Sequence, residues 1–248
     1  MRVLGSLVCL WLLSAPLAAK DATPLSLPKG ARVGVVSLLN AEVTHFHAAK
    51  ALKDGYLKTE IVDWPPEAML LDGLKERAAQ MGLVLVPLPP GDELGHARES
   101  CFLDNGFNKS LPRDCVLPFQ HLLSNEGLQA VIVLAPGLNN SAHASSSRRK
   151  ELPDYLRGWG YVTGEAGSAD GKPTLFSMNE LLLVATSPAG PELRAHEWGG
   201  NYSLEWTNYT PPADPKNPPP EAYAQLRPLF AAILSRETAR LLDQIQVQ

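Results

Sequence analysis

His45 and His47 stand two residues apart in the run Glu42–Ala49, whose side chains alternate loosely in character. Residues two apart on a strand face the same way, so the spacing predicts two imidazoles side by side. Such a pair can begin a transition-metal site. Zinc takes three or four ligands, and Glu42, Asp63, His96 and His143 are side chains able to complete the set. The same spacing also describes two histidines on a solvated sheet face. Ser37 lies at the end of one apolar run with Asn40 just beyond it, and Asn139 follows a second run. If the two runs are parallel neighbours, Ser37, Asn40 and Asn139 meet at their carboxyl ends, where α/β folds place ligands. Ser37 could then serve as a nucleophile if a base stood beside it, but the chain has no Gly-x-Ser-x-Gly elbow. No Gly-x-Gly-x-x-Gly follows the first strand and no Gly-Lys-Ser/Thr loop occurs, so the usual phosphate cradles are missing and no cofactor is expected.

The elements that would position these residues are legible as alternating apolar runs and helical periods. Arg32–Leu39 and Gln129–Ala135 are short, rich in β-branched residues and bounded by polar or Gly and Pro punctuation, the pattern of strands buried on both faces. Leu83–Val86 is a third such run. Met69, Leu70, Leu74, Ala78 and Met81 recur at helical spacing between Trp64-Pro65-Pro66 and Gly82. Glu42–Ala49 and Tyr56–Val62, separated by Lys53-Asp54-Gly55, read as a hairpin. Pro118–Asn125 reads as a short helix. In the second half, Leu156–Gly164, Asn179–Thr186 and Tyr202–Trp206 read as strands, the first two antiparallel. Thr210–Pro220 holds six prolines and predicts a stiff connector, over 210–220, to a long helix at 221–246 whose stripe runs through Leu226, Leu229, Phe230, Ile233, Leu241, Leu242 and Ile245. The expected fold class is therefore α/β: a central mixed, partly parallel sheet flanked by helices, with antiparallel strands in the second half and a long C-terminal helix. Trp159, Tyr161, Trp198, Tyr202, Trp206 and Tyr209 cluster in that second half, where cross-strand aromatic packing is expected.

Met1-Arg2, the apolar run Val3–Leu13 and the small residues ending at Ala19 form the pattern of a secretory signal peptide over 1–19. Ser14 and Pro16 cut the apolar run short of the roughly 20 residues a membrane span needs, so no span is expected once the signal is removed. The remainder, 20–248, is expected to form a single α/β domain. In an oxidising compartment its two cysteines, Cys101 and Cys115, would form a disulfide, and by loop entropy that link would contribute roughly 3 kcal/mol. A formal charge of −4, with Arg148-Arg149-Lys150 as a short basic triplet in a polar loop, argues against nucleic acid as a partner. These features together predict a secreted or periplasmic globular protein that binds a ligand or a cell-envelope partner without catalysis. The alternatives are a hydrolase, metal-dependent through His45 and His47 or dependent on Ser37, and an interaction module that uses its C-terminal helix.

Overall fold

The computed structural model describes residues 24–48, 55–89, 94, 111–137, 156–164, 173–199, 204–206, 209–210, 214 and 217–248. The segment 1–19, Cys101, Asn139, His96, His143 and Tyr202 lie outside the described residues. The elements run β1 (Leu25–Leu27), β2 (Arg32–Ser37), β3 (Glu42–Ala48), β4 (Tyr56–Ile61), α1 (Pro66–Met81), β5 (Val84–Pro87), α2 (Arg113–Asn125), β6 (Ala130–Pro136), β7 (Gly158–Gly164), β8 (Thr174–Ser187), β9 (Gly190–Gly199), β10 (Leu204–Glu205), α3 (Pro220–Ala224), α4 (Leu226–Leu242) and β11 (Ile245–Val247). Nine of the strands form one mixed sheet, and β1 pairs with β11 in a separate parallel ribbon.

The two apolar runs are parallel neighbours, as their composition implies: Val36 lies opposite Val133 in the β2–β6 ladder. β5 flanks β2 in parallel on the other side. β8 is the long strand. Its second half, from Asn179, pairs antiparallel with β6, and its first half, up to Met178, pairs antiparallel with β7. β3 lies parallel to β7, and β4 pairs antiparallel with β3. Only Leu38–Ala41 separate β2 from β3, and a four-residue link cannot reach across the intervening strands. β3 therefore continues the line of β2, and β7 the line of β6. The sheet is thus made of long rows, two of which break at the same level.

Helices cover both faces. One core joins the sheet to α1 and α4 through Val35, Leu70, Leu74, Leu134, Phe230 and Leu241. The other joins it to α2 through Val36, Phe119, Leu123, Val131 and Val133. Both β2 and β6 feed side chains to each core, which is why their sequences are apolar at successive positions. α1 starts at Pro66, where a missing N–H costs nothing, and stops at Gly82, whose φ of 73° is the left-handed conformation glycine tolerates. α1 and α4 approach closely at Gly73, whose carbonyl accepts a hydrogen bond from the Thr238 hydroxyl at 3.2 Å. On β7, a Cβ at Gly160 would collide with the Thr44 carbonyl and the Phe176 ring.

Several boundaries differ from expectation for identifiable reasons. The helix expected at 221–246 is two helices and a strand. Pro228 has no N–H to give Ala224, so α3 ends and α4 restarts at Leu226 with the proline in its first turn. Ile245–Val247 then leave the helical stripe to pair with β1. The stripe itself, Leu226, Phe230, Ile233, Leu241 and Leu242, is buried in the protein's own core. α2 begins five residues before Pro118 and carries that proline in its interior. β8 starts five residues earlier than Asn179, and β9 was not expected at all: it has Pro191 as its second residue and carries Glu192, Arg194, His196 and Glu197, the polar content of an edge strand. Of the connector at 210–220, Asn217 is held to the sheet by the Lys58 ammonium at 2.8 Å.

Glu237 sits on the buried side of α4 at 2% exposure, and its Oε1 has no hydrogen-bond partner. Burial pushes its pKa up to about 8 against the opposing pull of Arg236 and Arg240, with Glu197 adding to the rise. The folded protein thus holds a proton that the unfolded chain releases near its ordinary carboxyl value of 4.5. Stability from this group is full below that value and is lost as pH rises towards 8. Glu237→Gln should therefore gain on the native protein between pH 5 and pH 8 by roughly 2–4 kcal/mol, read from urea midpoints at both pH values. Parallel pH profiles for the two proteins would show that Glu237 is not the buried acid described.

Candidate functional site

Where β6 ends and β7 begins, the two rows part and leave a cleft of about 80 Å³, lined by Leu39, Asn40, Glu42, Thr44, Pro136, Arg157, Gly158 and Trp159. The cleft lies at the carboxyl ends of parallel β2 and β6, the position at which open α/β sheets gather ligands. Its rim carries both signs of charge. Asn40 is exposed and its Nδ2 donates to Glu42 Oε2 at 3.5 Å. The Arg157 guanidinium donates to the Leu156 carbonyl at 2.9 Å, which holds it beside the start of β7. Trp159 forms the apolar wall, in a three-ring cluster with Trp64 and Phe230 at centroid distances of 5.5 and 5.3 Å.

A buried polar group organises the break. Met178 is the last residue of β8 to face β7, opposite Gly158, and Asn179 is the first to face β6, opposite Pro136. The Gly137 N–H donates to the Met178 carbonyl at 2.7 Å, carrying the ladder one residue past the end of β6. With the Asn179 carboxamide oriented so that its oxygen faces the indole, that oxygen accepts from Trp159 Nε1 and from Ser177 Oγ at 2.9 Å, and its nitrogen donates to the Met178 carbonyl at 3.2 Å. Asn179 and Ser177 are each 1% exposed, so every one of these bonds is shielded from water.

His45 and His47 do share a face of β3, and β7 lies beside them in register. Their rings converge on one hydroxyl: His45 Nε2 is 2.7 Å and His47 Nδ1 2.8 Å from Thr163 Oγ1. A hydroxyl has one proton, so at least one imidazole donates to it. His45 is stacked on Tyr161 at 4.2 Å and meets Tyr56 edge-on, while Tyr56 stacks on His47 at 5.0 Å. Burial, then His47 and then Lys58, lower the His45 pKa to about 4, so this ring stays neutral at physiological pH. Its Nδ1 is buried without a hydrogen-bond partner. Burial likewise raises Tyr56, Tyr161 and Tyr209, and it pushes Tyr223 up to about 12, so these four phenols remain uncharged. Among the described residues no group of three His, Cys, Asp or Glu side chains is placed to hold a metal.

Of the residues expected to line the crevice, Asn40 does so. Ser37 lies just beneath, 6% exposed, and its Oγ accepts the Leu39 N–H at 3.3 Å, closing the end of β2. Asn139 lies outside the described residues, and so does Cys101, the expected partner of Cys115; Cys115 itself is fully buried on α2. Thr44, Arg157 and Thr163 were not foreseen. Arg157 stands before the Gly158–Gly160 pair at the head of β7, a cation at a strand entrance that the residue pattern does display. Removing the buried carboxamide should cost about 1–3 kcal/mol in Asn179→Leu, because the Trp159 indole N–H and the Ser177 hydroxyl lose their acceptor. A urea midpoint equal to that of the parent protein would show that the carboxamide does not hold the break together.

No protein-family model matches the chain, and no curated protein matches it. The chain is similar to a solved structure, a PelC L103M dodecamer from Paraburkholderia phytofirmans, at 12% identity over 91% of this chain and 94% of that one, with a TM-score of 0.34. A likeness that distant carries no argument about function, which is taken from the residues of the cleft.

Proposed function

We propose that the protein is an exported, secreted or periplasmic, binding protein without catalytic chemistry, and that it holds a small polar group of a ligand or envelope partner in the cleft between β6 and β7. The observation that carries this reading is the convergence of Asn40, Glu42, Thr44 and Arg157 on one concave spot backed by an indole. Donors, acceptors and both signs of charge in so small a volume suit a zwitterionic or amide-bearing head group. Whole drug-sized ligands occupy roughly 300–1,000 Å³, so the cleft takes the end of a molecule and not its bulk. The export pattern at Met1–Ala19 supplies the compartment, in which Cys101 and Cys115 would be joined. A larger depression of about 680 Å³ lies by Lys29, Arg77, Gln80 and Asp243, but there Arg77 is already paired with Asp243 at 2.6 Å.

Calorimetric titration with amino acids, short peptides and amino sugars tests the reading. Arg157→Ala should weaken the binding found by about tenfold or more, the value of a hydrogen bond to a charged group. Binding indifferent to both Arg157→Ala and Glu42→Gln would move the ligand elsewhere. Ester or peptide turnover lost in Ser37→Ala would replace binding with catalysis.

A metal-dependent hydrolase is the second reading, favoured by the meeting of His45 Nε2 and His47 Nδ1 at one oxygen. The pair supplies two donors where zinc uses three or four. Stoichiometric metal in the purified protein, lost with activity in His45→Ala, would establish it.

A further inference from the structure

Among the described residues β4 pairs with β3 alone, so its other side is an edge of the described sheet. The Val62 N–H donates to the Ala41 carbonyl at 2.9 Å across this hairpin. That bond sets the phase of the ladder: Tyr56, Lys58 and Glu60 exchange backbone bonds with β3, while Leu57, Thr59 and Ile61 turn their N–H and C=O groups outward. The same three residues present their side chains to solvent on one face, with Leu57 47% and Ile61 84% exposed. Two apolar side chains on an unpaired strand are what soluble proteins usually avoid.

The residue order on this strand is complementary to itself. Laid antiparallel against a second β4 and centred on Thr59, the strand brings Thr59 opposite its own copy. Leu57 then faces Ile61 of that copy on the exposed side, and Lys58 faces Glu60 on the other. All three outward-pointing residues fall into hydrogen-bonded pairs, each exchanging two backbone bonds. Opposite charges and apolar pairs directly across a ladder are stabilising, and the arrangement closes on itself about a two-fold axis. A shift of the centre by one residue still pairs outward-turned residues, Leu57 with Thr59 or Thr59 with Ile61, but it sets Lys58 against Lys58 or Glu60 against Glu60, like charges that oppose that register. Within one chain Lys58 already contacts Glu60 and Asn217, so its ammonium is held at the level where the partner carboxylate would arrive.

We propose that β4 is a homodimerisation edge, through which two copies join their sheets by antiparallel β4–β4 pairing centred on Thr59. The proposal is independent of the cleft and of what it binds. Sedimentation equilibrium of the purified protein, up to about 1 mM, is the test. A monomer–dimer equilibrium is expected. Thr59→Pro removes an outward N–H from each copy without touching the β3 ladder, and should abolish the dimer. Lys58→Glu sets carboxylates against Glu60 twice over and should weaken dimerisation by about tenfold or more. Lys58→Glu combined with Glu60→Lys restores opposite charges at both points and should restore the dimer. Far-ultraviolet circular dichroism checks that each variant is folded; if Thr59→Pro is not, the charge reversal and its rescue decide the matter. A protein monomeric throughout overturns the proposal. So does a dimer left unchanged by Lys58→Glu, or an edge taken up by a different protein's strand while copies of this chain remain apart.

Discussion

The hydrogen-bonded ladder along β8 is the constraint on which the remaining structure depends. One strand of fourteen residues serves two shorter partners in succession, β7 along its first half and β6 along its second. Because each partner has its own parallel neighbour, the break between β6 and β7 is reproduced one row out, between β2 and β3. A sheet interrupted at one level on two adjacent rows must leave a gap there, since backbone groups at strand ends turn away from one another. The cleft is that gap. Its walls are Leu39 and Asn40 of the β2–β3 link, the start of β3, the end of β6 and the entrance to β7.

Such a break would be costly if the groups around it were left unpaired in a dry interior. Asn179 resolves this. A side chain with both a carbonyl and an amide group can take the Trp159 N–H and the Ser177 hydroxyl on one side and give to the Met178 carbonyl on the other. An apolar residue of similar size would fill the space and satisfy none of them. The indole so anchored also belongs to the core, packed against both Trp64 of the β4–α1 link and Phe230 of α4. The position of the cleft wall and the docking of the last long helix are therefore set by one side chain.

The histidine pair shows how far a spacing rule reaches. Two residues apart on β3 does mean one face, and the rings do meet at a common point. What stands at that point is Thr163, more than a hundred residues away, brought there by the β3–β7 register. No property of the segment around His45 announces that partner. Tyr161 arrives by the same register and Tyr56 through the hairpin, and the two stack on the imidazoles of this strand face.

Local composition alone determined that Arg32–Ser37 and Ala130–Pro136 are strands buried on both faces, that Pro66–Met81 is a helix between a proline start and a glycine stop, and that Glu42–Ile61 folds back as a hairpin. These are effects of neighbours within a few residues: hydrophobic period, β-branching, and the backbone limits of Pro and Gly. It also carried the apolar stripe of α4, though not the end of that helix, since Ile245–Val247 leave it only because β1 offers a parallel partner. Tertiary structure decided what depends on distant chain: that β8 begins at Thr174, that the polar run Gly190–Gly199 is an edge strand of it, and that Asn40, Glu42 and Arg157 share a cleft. The physical reason is that a strand is defined by the hydrogen bonds of its partner, and a site by the register that aligns them, neither of which is written in the residues of one segment.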